Sequence, residues 1–285
     1  MMTAAQADFA PDPVQQVLHR RNWGAWLLSF LCLALIVTII SAGVRAQIMD
    51  MDKFLGYLFS RQILIGAANA LMLGTVALLI ACVVGLIVAL MRVSGNPIMA
   101  SIAAVYVYFF RGTPMLIQLL FWFNAVPIMF DQITIAIPFT DIILFQKPTT
   151  HVVTPFVAAL IGLSLAEAGY MSEIIRSGIQ AVDQGQRSAA RAIGMTQPQV
   201  LRRVVIPQAG RIILPAAGNQ YIMMLKSTSL ASAIGYLELL RIATDIYSSN
   251  FLVVELLAVA AVWYLVMTAF ATGIQTTLEK LFPHR

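Results

Sequence analysis

The long apolar runs of this chain restrict its fold more than any other feature. Gly24 to Val44 holds 21 uncharged residues, about 31 Å as a helix, enough to cross the hydrocarbon of a bilayer. Inside lipid every backbone N–H and C=O must be satisfied within the structure, so such runs form helices and not irregular loops. Further runs cover about 63–91, 98–126, 155–179, 212–230 and 251–278. With 60% hydrophobic and 11% charged residues and a mean hydropathy of +0.83, the chain lies outside the range of soluble domains. The expected fold is an all-α integral membrane protein with six transmembrane helices.

Charge sets the orientation. His19, Arg20 and Arg21 precede the first run, and six arginines face one acid, Asp183, between Arg176 and Arg211. Basic residues favour the cytoplasmic side, so both termini and the 183–207 connector are expected inside. Residues 1–22, with Asp8, Asp12 and two prolines, read as a cytosolic tail, because the run that follows is too long for a cleaved signal. The stretch from Arg45 through Asp50, Asp52 and Lys53 to Arg61 reads as an outside linker. Residues 127–154, with Asp131, Asp141, Lys147 and His151, read as an outside loop with a short surface helix. Gly66, Gly74 and Gly85 give the second span a small-residue face for close helix contact. The +5 formal charge is accounted for by these orientation signals, so nucleic acid is not an expected partner. Cys32 and Cys82 sit in apolar runs and read as small hydrophobes, with no metal-ligand spacing.

The connector has its own logic. Ser188, Ala189, Ala190, Arg191 and Ala192 form a helix, Gly194 supplies a left-handed close, and Met195 follows in the turn. Thr196 with Gln199 makes a capping box, and Pro198 is tolerated in the first turn. The expectation is a helix, a glycine turn and a second helix ending before Pro207. Held rigid between membrane helices, such an element suits docking. A DNA-binding helix-turn-helix has a similar outline, but the segment has no room for the third helix and core that such a domain needs. A passive basic loop is the plainer alternative.

Polar groups also interrupt the spans. Phe109-Phe110-Arg111-Gly112-Thr113-Pro114 combines a helix break with a cation near mid-membrane. Charge there faces a cavity or a partner and is a functional candidate by default; a kink with Arg111 paired to an acid is the structural alternative. Glu167 lies midway along the fourth span, and Glu173 has Arg176 at i+3 as a local ion-pair partner. The fifth span ends in Lys226, Ser227, Thr228 and Ser229, a cation beside hydroxyls that equally serve as helix–helix glue.

The 188–207 stretch resembles the EAA loop of permease subunits of binding-protein-dependent ABC importers, with Ser188 where that family most often has Glu. FRGTP, GYMSEIIRSGI and LKSTSL followed by Ile234-Gly235 are similar to the polar amino-acid uptake branch, the permeases for histidine, glutamine, glutamate and arginine; Ser227 stands where Asp or Asn is usual. The similarity covers about 62–285, a type I importer transmembrane domain with a five-helix core, and leaves residues 23–61 as an added helix and linker. It implies a bacterial inner-membrane transport subunit that is not itself an enzyme. It also implies partners: a dimer of ABC ATPases that holds ATP and Mg, the same or a paralogous permease, an external amino-acid-binding protein, and an amino-acid substrate in a lipid bilayer. Ser188, Ala189, Ala190, Arg191, Gly194, Met195, Thr196 and Pro207 would form the ATPase contact. For a zwitterionic substrate, Arg111 would take the carboxylate and Glu167 the ammonium, with Thr113, Lys226, Ser227, Thr228 and Ser229 nearby. A channel without ATP coupling would need a filter motif, and an intramembrane hydrolase a nucleophile–base pair; the sequence displays neither, and it contains no Gly-Lys pair for a P-loop.

Overall fold

The computed structural model describes residues 23–45, 49–137 and 143–281. The expected tail 1–22, Asp141 in the outside loop, and the terminal His284 and Arg285 lie outside the described residues. The chain divides into two units, Met1–Met49 and Asp50–Arg285. The first contains helix α1 (Trp23–Arg45), whose Trp26, Phe30 and Leu35 are exposed.

The second unit opens with α2 (Met51–Leu58), a short helix where the sequence suggested a linker. The Asp50 side chain caps it, accepting the N–H groups of Asp52 at 3.0 Å and Lys53 at 3.1 Å. Next comes α3 (Arg61–Val93). Helix α4 (Pro97–Gly112) starts where Asn96 accepts the Ile98 N–H at 2.9 Å, with Pro97 in the first turn. It is followed by α5 (Met115–Leu120), a π-helical turn (Phe121–Ala125) and α6 (Val126–Met129).

An antiparallel hairpin, β1 (Gln132–Ala136) and β2 (Ile143–Pro148), then leads through α7 (Thr149–Val152) into α8 (Pro155–Gln180). After α9 (Gln184–Ala192) and α10 (Gln197–Val200) comes a second π-helical turn (Leu201–Val205) and α11 (Ile206–Ser227). A 3₁₀ turn (Thr228–Ile234), α12 (Leu239–Asn250) and α13 (Val253–Leu281) complete the unit.

Two expectations need correction. The fold is not all-α: Ile133-Thr134-Ile135 pairs with Phe145-Gln146-Lys147, β-branched and aromatic residues that suit a pleated ribbon. Nor are six uninterrupted spans present among the described residues. Three helices, α3, α8 and α13, are long and apolar enough to cross a membrane. The pair α4 and Met115–Met129 counts as a fourth only as a span bent by 101°. Helix α11 carries Arg211, Asn219 and Gln220 in its interior, which lowers its hydropathy below that of a continuous span.

The core forms where α8 lies along α3. A Cβ added at Gly85 would sit 2.9 Å from Met171 Cβ, and one at Gly66 2.9 Å from Leu239 Cα, so the glycine face expected of the second span is the surface that permits contact. Buried Ala70, Ala77, Ala81 and Ala89 continue it. Tyr106 Oη donates to Leu165 O at 2.8 Å, tying α4 to α8.

Two buried carboxylates organise the end of the unit near α2 and α12. Glu255 accepts the Asp50 N–H at 2.8 Å, while Trp263 Nε1 donates to Leu58 O at 2.7 Å, so α2 is clamped onto α13. Glu238 is fully buried. It accepts the N–H groups of Leu240 (2.9 Å) and Arg241 (2.7 Å) and the Tyr264 hydroxyl (2.6 Å). As the N-cap of α12 it satisfies orphan donors that burial would otherwise leave unpaired.

Candidate functional site: a capped connector and a broken span

The connector is rigid by backbone chemistry. Asp183 Oδ1 accepts the Gln186 N–H at 3.1 Å and starts α9. At the other end Gly194 adopts φ +84°, its N–H donating to Arg191 O (2.9 Å), and the Met195 N–H donates to Ala190 O (3.1 Å). These are the two bonds of a Schellman close. Gln199 Oε1 then accepts the Thr196 N–H at 2.9 Å, the expected capping box. Val182, Ala190, Val200, Val205 and Ala209 form a small buried core beneath, with Met195 packed against it. Arg187 donates to the Ile179 carbonyl at the end of α8. Ser188, Ala189, Arg191 and Thr196 remain exposed, and Ile193 is 76% exposed.

Pro207 does not end the second helix, contrary to the sequence expectation. Ile206 N–H bonds Leu201 O, five residues back, and the chain continues straight into α11. A π turn widens the helix before the proline ring must pass the carbonyl four residues earlier, and Pro207 has no N–H to leave unpaired. The connector is therefore continuous with α11.

The second region is the break between α4 and α5. Thr113 is extended (φ −94°, ψ 132°) and ends α4, and both its N–H (3.0 Å) and Oγ1 (2.8 Å) donate to Phe109 O. Pro114 precedes the first residue of α5. Sequence reasoning missed Gln118. It is 4% exposed, and its Nε2 donates to Phe110 O and Thr113 O, both at 3.0 Å. One amide thus satisfies two carbonyls that the break strands. A polar residue four positions after the proline was the available signal.

The expected site residues divide between surfaces. Arg111 stacks its guanidinium 5.1 Å over the Tyr170 ring. With Gly112, Thr113, Ala166 and Tyr170 it borders a cavity of about 300 Å³. Arg111 and Tyr170 also border an open cavity of about 530 Å³ with Arg92 and Glu173. Glu167 lines neither. It is 2% exposed, with Gln220 of α11 beside its carboxylate and Oε1 without a partner. No ion pair joins Arg111 to Glu167 among the described residues. Glu173 pairs with Arg176 at 2.7 Å, as its spacing predicts, and with Arg92 of α3 at 3.5 Å.

Lys226 is exposed at the end of α11. The neighbouring hydroxyls are engaged with their own helix: Ser227 donates to Met223 O, Thr228 to Leu225 O and Ser229 to Lys226 O, at 3.0, 2.7 and 2.8 Å.

Residues 81–282 match the family described as binding-protein-dependent transport system inner membrane component. The arginine transport system permease protein ArgU of Corynebacterium glutamicum is 40% identical over 273 residues, which cover 95% of this chain and 84% of that protein. The glutamine transport system permease protein GlnP of Escherichia coli is 31% identical over 215 residues, 75% of this chain and 90% of that protein. A crystal structure of an amino acid ABC transporter with histidines superposes with a TM-score of 0.69 at 34% identity, covering 81% of this chain and 98% of that one.

Proposed function

This chain belongs to the family of binding-protein-dependent transport system inner membrane components, and from that premise we propose that it is the membrane-spanning subunit of an ATP-driven amino-acid importer. The observation that carries the reading is the connector: a helix pair fixed by the Gly194 close and the Thr196 cap, exposed at Arg191 and Ile193, and continuous with α11. Movement imposed on that pair by a separate ATPase dimer, which would bind ATP and Mg, passes into α11 without a flexible joint, and the Arg187 bond to the Ile179 carbonyl ties the pair to the end of α8. Ser188, Ala189, Ala190, Arg191, Gly194, Met195, Thr196 and Pro207 are the proposed contact and its support.

The basic residues favour cytoplasmic termini and a cytoplasmic connector. In this arrangement α1 is a helix added to a five-helix core, the α4–α6 pair is one broken span, and α11 is the fifth span. The pathway forms with a second permease, identical or paralogous, and an external binding protein delivers the substrate. Arg111 takes the substrate carboxylate, Glu167 lies deeper as the partner of an ammonium group, and Thr113 and Lys226 continue the polar path; Thr228, fully buried, and Ser229 are bonded to their own helix and fall outside it. The test is uptake into liposomes containing the purified chain. Amino-acid uptake that requires both added ATPase subunits and ATP supports the reading; uptake with this chain alone overturns it in favour of a channel.

A further inference from the structure

Helix α2 presents three faces where an ordinary surface helix presents two. Phe54, Tyr57 and Leu58 are half-buried and pack against the core that contains Leu256, Val259 and Ala260 of α13. Asp52, Lys53 and Gly56 are exposed. The third face is apolar and uncovered: Met51 is 53%, Leu55 56% and the C-cap Phe59 71% exposed. At about 100° per residue the three faces point roughly 120° apart. The helix cannot roll to hide the apolar one, because the Asp50 N–H bond to Glu255 and the Trp263 bond to Leu58 O hold it at both ends.

We propose that Met51, Leu55 and Phe59 seat in the phospholipid of one leaflet, so that α2 is an interfacial anchor whose three faces meet protein, hydrocarbon and water. The proposal rests on the reading of α3 and α13 as spans, and the outer leaflet follows from the proposed topology. Three observations choose lipid over a protein partner. The apolar face leads into the exposed surface of both spans: the chain runs from Phe59 to exposed Leu64 and Ile65 of α3, and the Phe59 ring meets Trp263 of α13 edge-on at 6.1 Å. What covers those spans covers the strip. Three side chains on a helix about 12 Å long also offer far less than the roughly 800 Å² per partner of a stable protein interface. Finally, Lys53 and Arg61 are exposed beside the strip, and their long apolar stems carry charges that complement headgroup phosphates. Through the Glu255 and Trp263 bonds the anchor ties the first turns of α13 to the membrane surface.

The test is a nitroxide scan of α2 in the complex of this chain with its ATPase in phospholipid nanodiscs. Met51→Cys, Asp52→Cys, Lys53→Cys, Leu55→Cys, Gly56→Cys and Phe59→Cys are labelled one at a time in a Cys32→Ala, Cys82→Ala chain. Each label's collision rates with oxygen, which concentrates in hydrocarbon, and with a nickel chelate, which stays in water, are compared. Oxygen should exceed the chelate at 51, 55 and 59, and the order should reverse at 52, 53 and 56. A nickel excess at all six overturns the proposal in favour of a water-exposed linker. Low rates for both at 51, 55 and 59 overturn it in favour of a protein cover, whether a second copy, another segment of this chain or a binding protein.

All six labelled positions are exposed, and an unchanged melting temperature qualifies each variant before its rates are read. If the label at Phe59 disturbs the Trp263 contact, Met51 and Leu55 alone decide the pattern. Leu265→Cys on α13, at a position 68% exposed, separates the proposal from the reading beneath it. An oxygen excess there with the α2 pattern absent overturns the anchor and leaves the span. A nickel excess there overturns the span reading and the anchor together.

Discussion

The connector and the broken span both turn a helix sharply, and both place a π turn one residue ahead of a proline, Val126-Pro127 in one and Ile206-Pro207 in the other. They differ in what fixes the angle. In the connector the turn itself is set by backbone conformation, one positive φ at Gly194 and bonds no more than five residues apart, while the Arg187 and Gln208 side chains tie α9 to α8 and α11. At the break it is a side chain, Gln118, reaching back over the proline to two carbonyls. A turn held by backbone bonds keeps one shape under load, which suits force transmission. A turn held by one amide beside two cavities is sensitive to what enters them.

The largest effect that would break this comparison is at Gly194. A β-branched side chain at φ +84° costs roughly 1–2 kcal/mol and re-aims the helix pair. No atom lies within 4 Å of the position a Cβ would take, so the cost is conformational and not steric. Gly194→Val is expected to insert normally, with ATP-driven uptake lost and the ATPase no longer copurifying. Normal uptake and copurification would show that the connector's geometry is not what couples.

The next effect concerns Glu167, and it sharpens the contrast because this carboxylate lies on α8 but outside both Arg111 cavities. Had it formed a permanent bridge with Arg111, neutralising it would strand a charge and destabilise the fold by several kcal/mol. With Gln220 as its neighbour and Oε1 unpartnered, Glu167→Gln should fold with little change in melting temperature and lower uptake by roughly tenfold, the value of one charge-assisted bond. Unchanged uptake in the assembled complex would remove Glu167 from the path.

What the sequence reveals follows the range of the interactions involved. The Gly194 close, the Thr196–Gln199 box and the Glu173–Arg176 pair have partners within a turn or two, and each appears in the structure as its spacing implies. The glycine face of α3 was legible because close approach leaves a small-residue signature. The Asp50–Glu255 bond spans 205 residues and the Tyr264–Glu238 bond 26; no local pattern announces them. The hairpin was hidden because prolines and scattered charge around it have the composition of a loop. Gln118 lay between these cases: its partners are close in sequence, but a glutamine in an apolar helix reads equally well as glue between helices.

The smallest effect lies at Thr196, and it asks whether the connector's rigidity is a sum of parts or rests on Gly194 alone. Thr196 is exposed, and its box with Gln199 sits one turn before the π segment that leads into α11. Loss of an N-cap hydroxyl costs about 1 kcal/mol, while the Gln199 bond to the Thr196 N–H does not depend on the side chain and survives. The buried Val200 and Val205 beneath continue to hold α10 in place. Thr196→Ala should therefore lower uptake no more than about fivefold, the reach of about 1 kcal/mol in an equilibrium, with ATPase copurification unchanged. A loss as complete as that of Gly194→Val would mean that the hydroxyl itself contacts the partner, making Thr196 part of the docking surface and not merely of its frame.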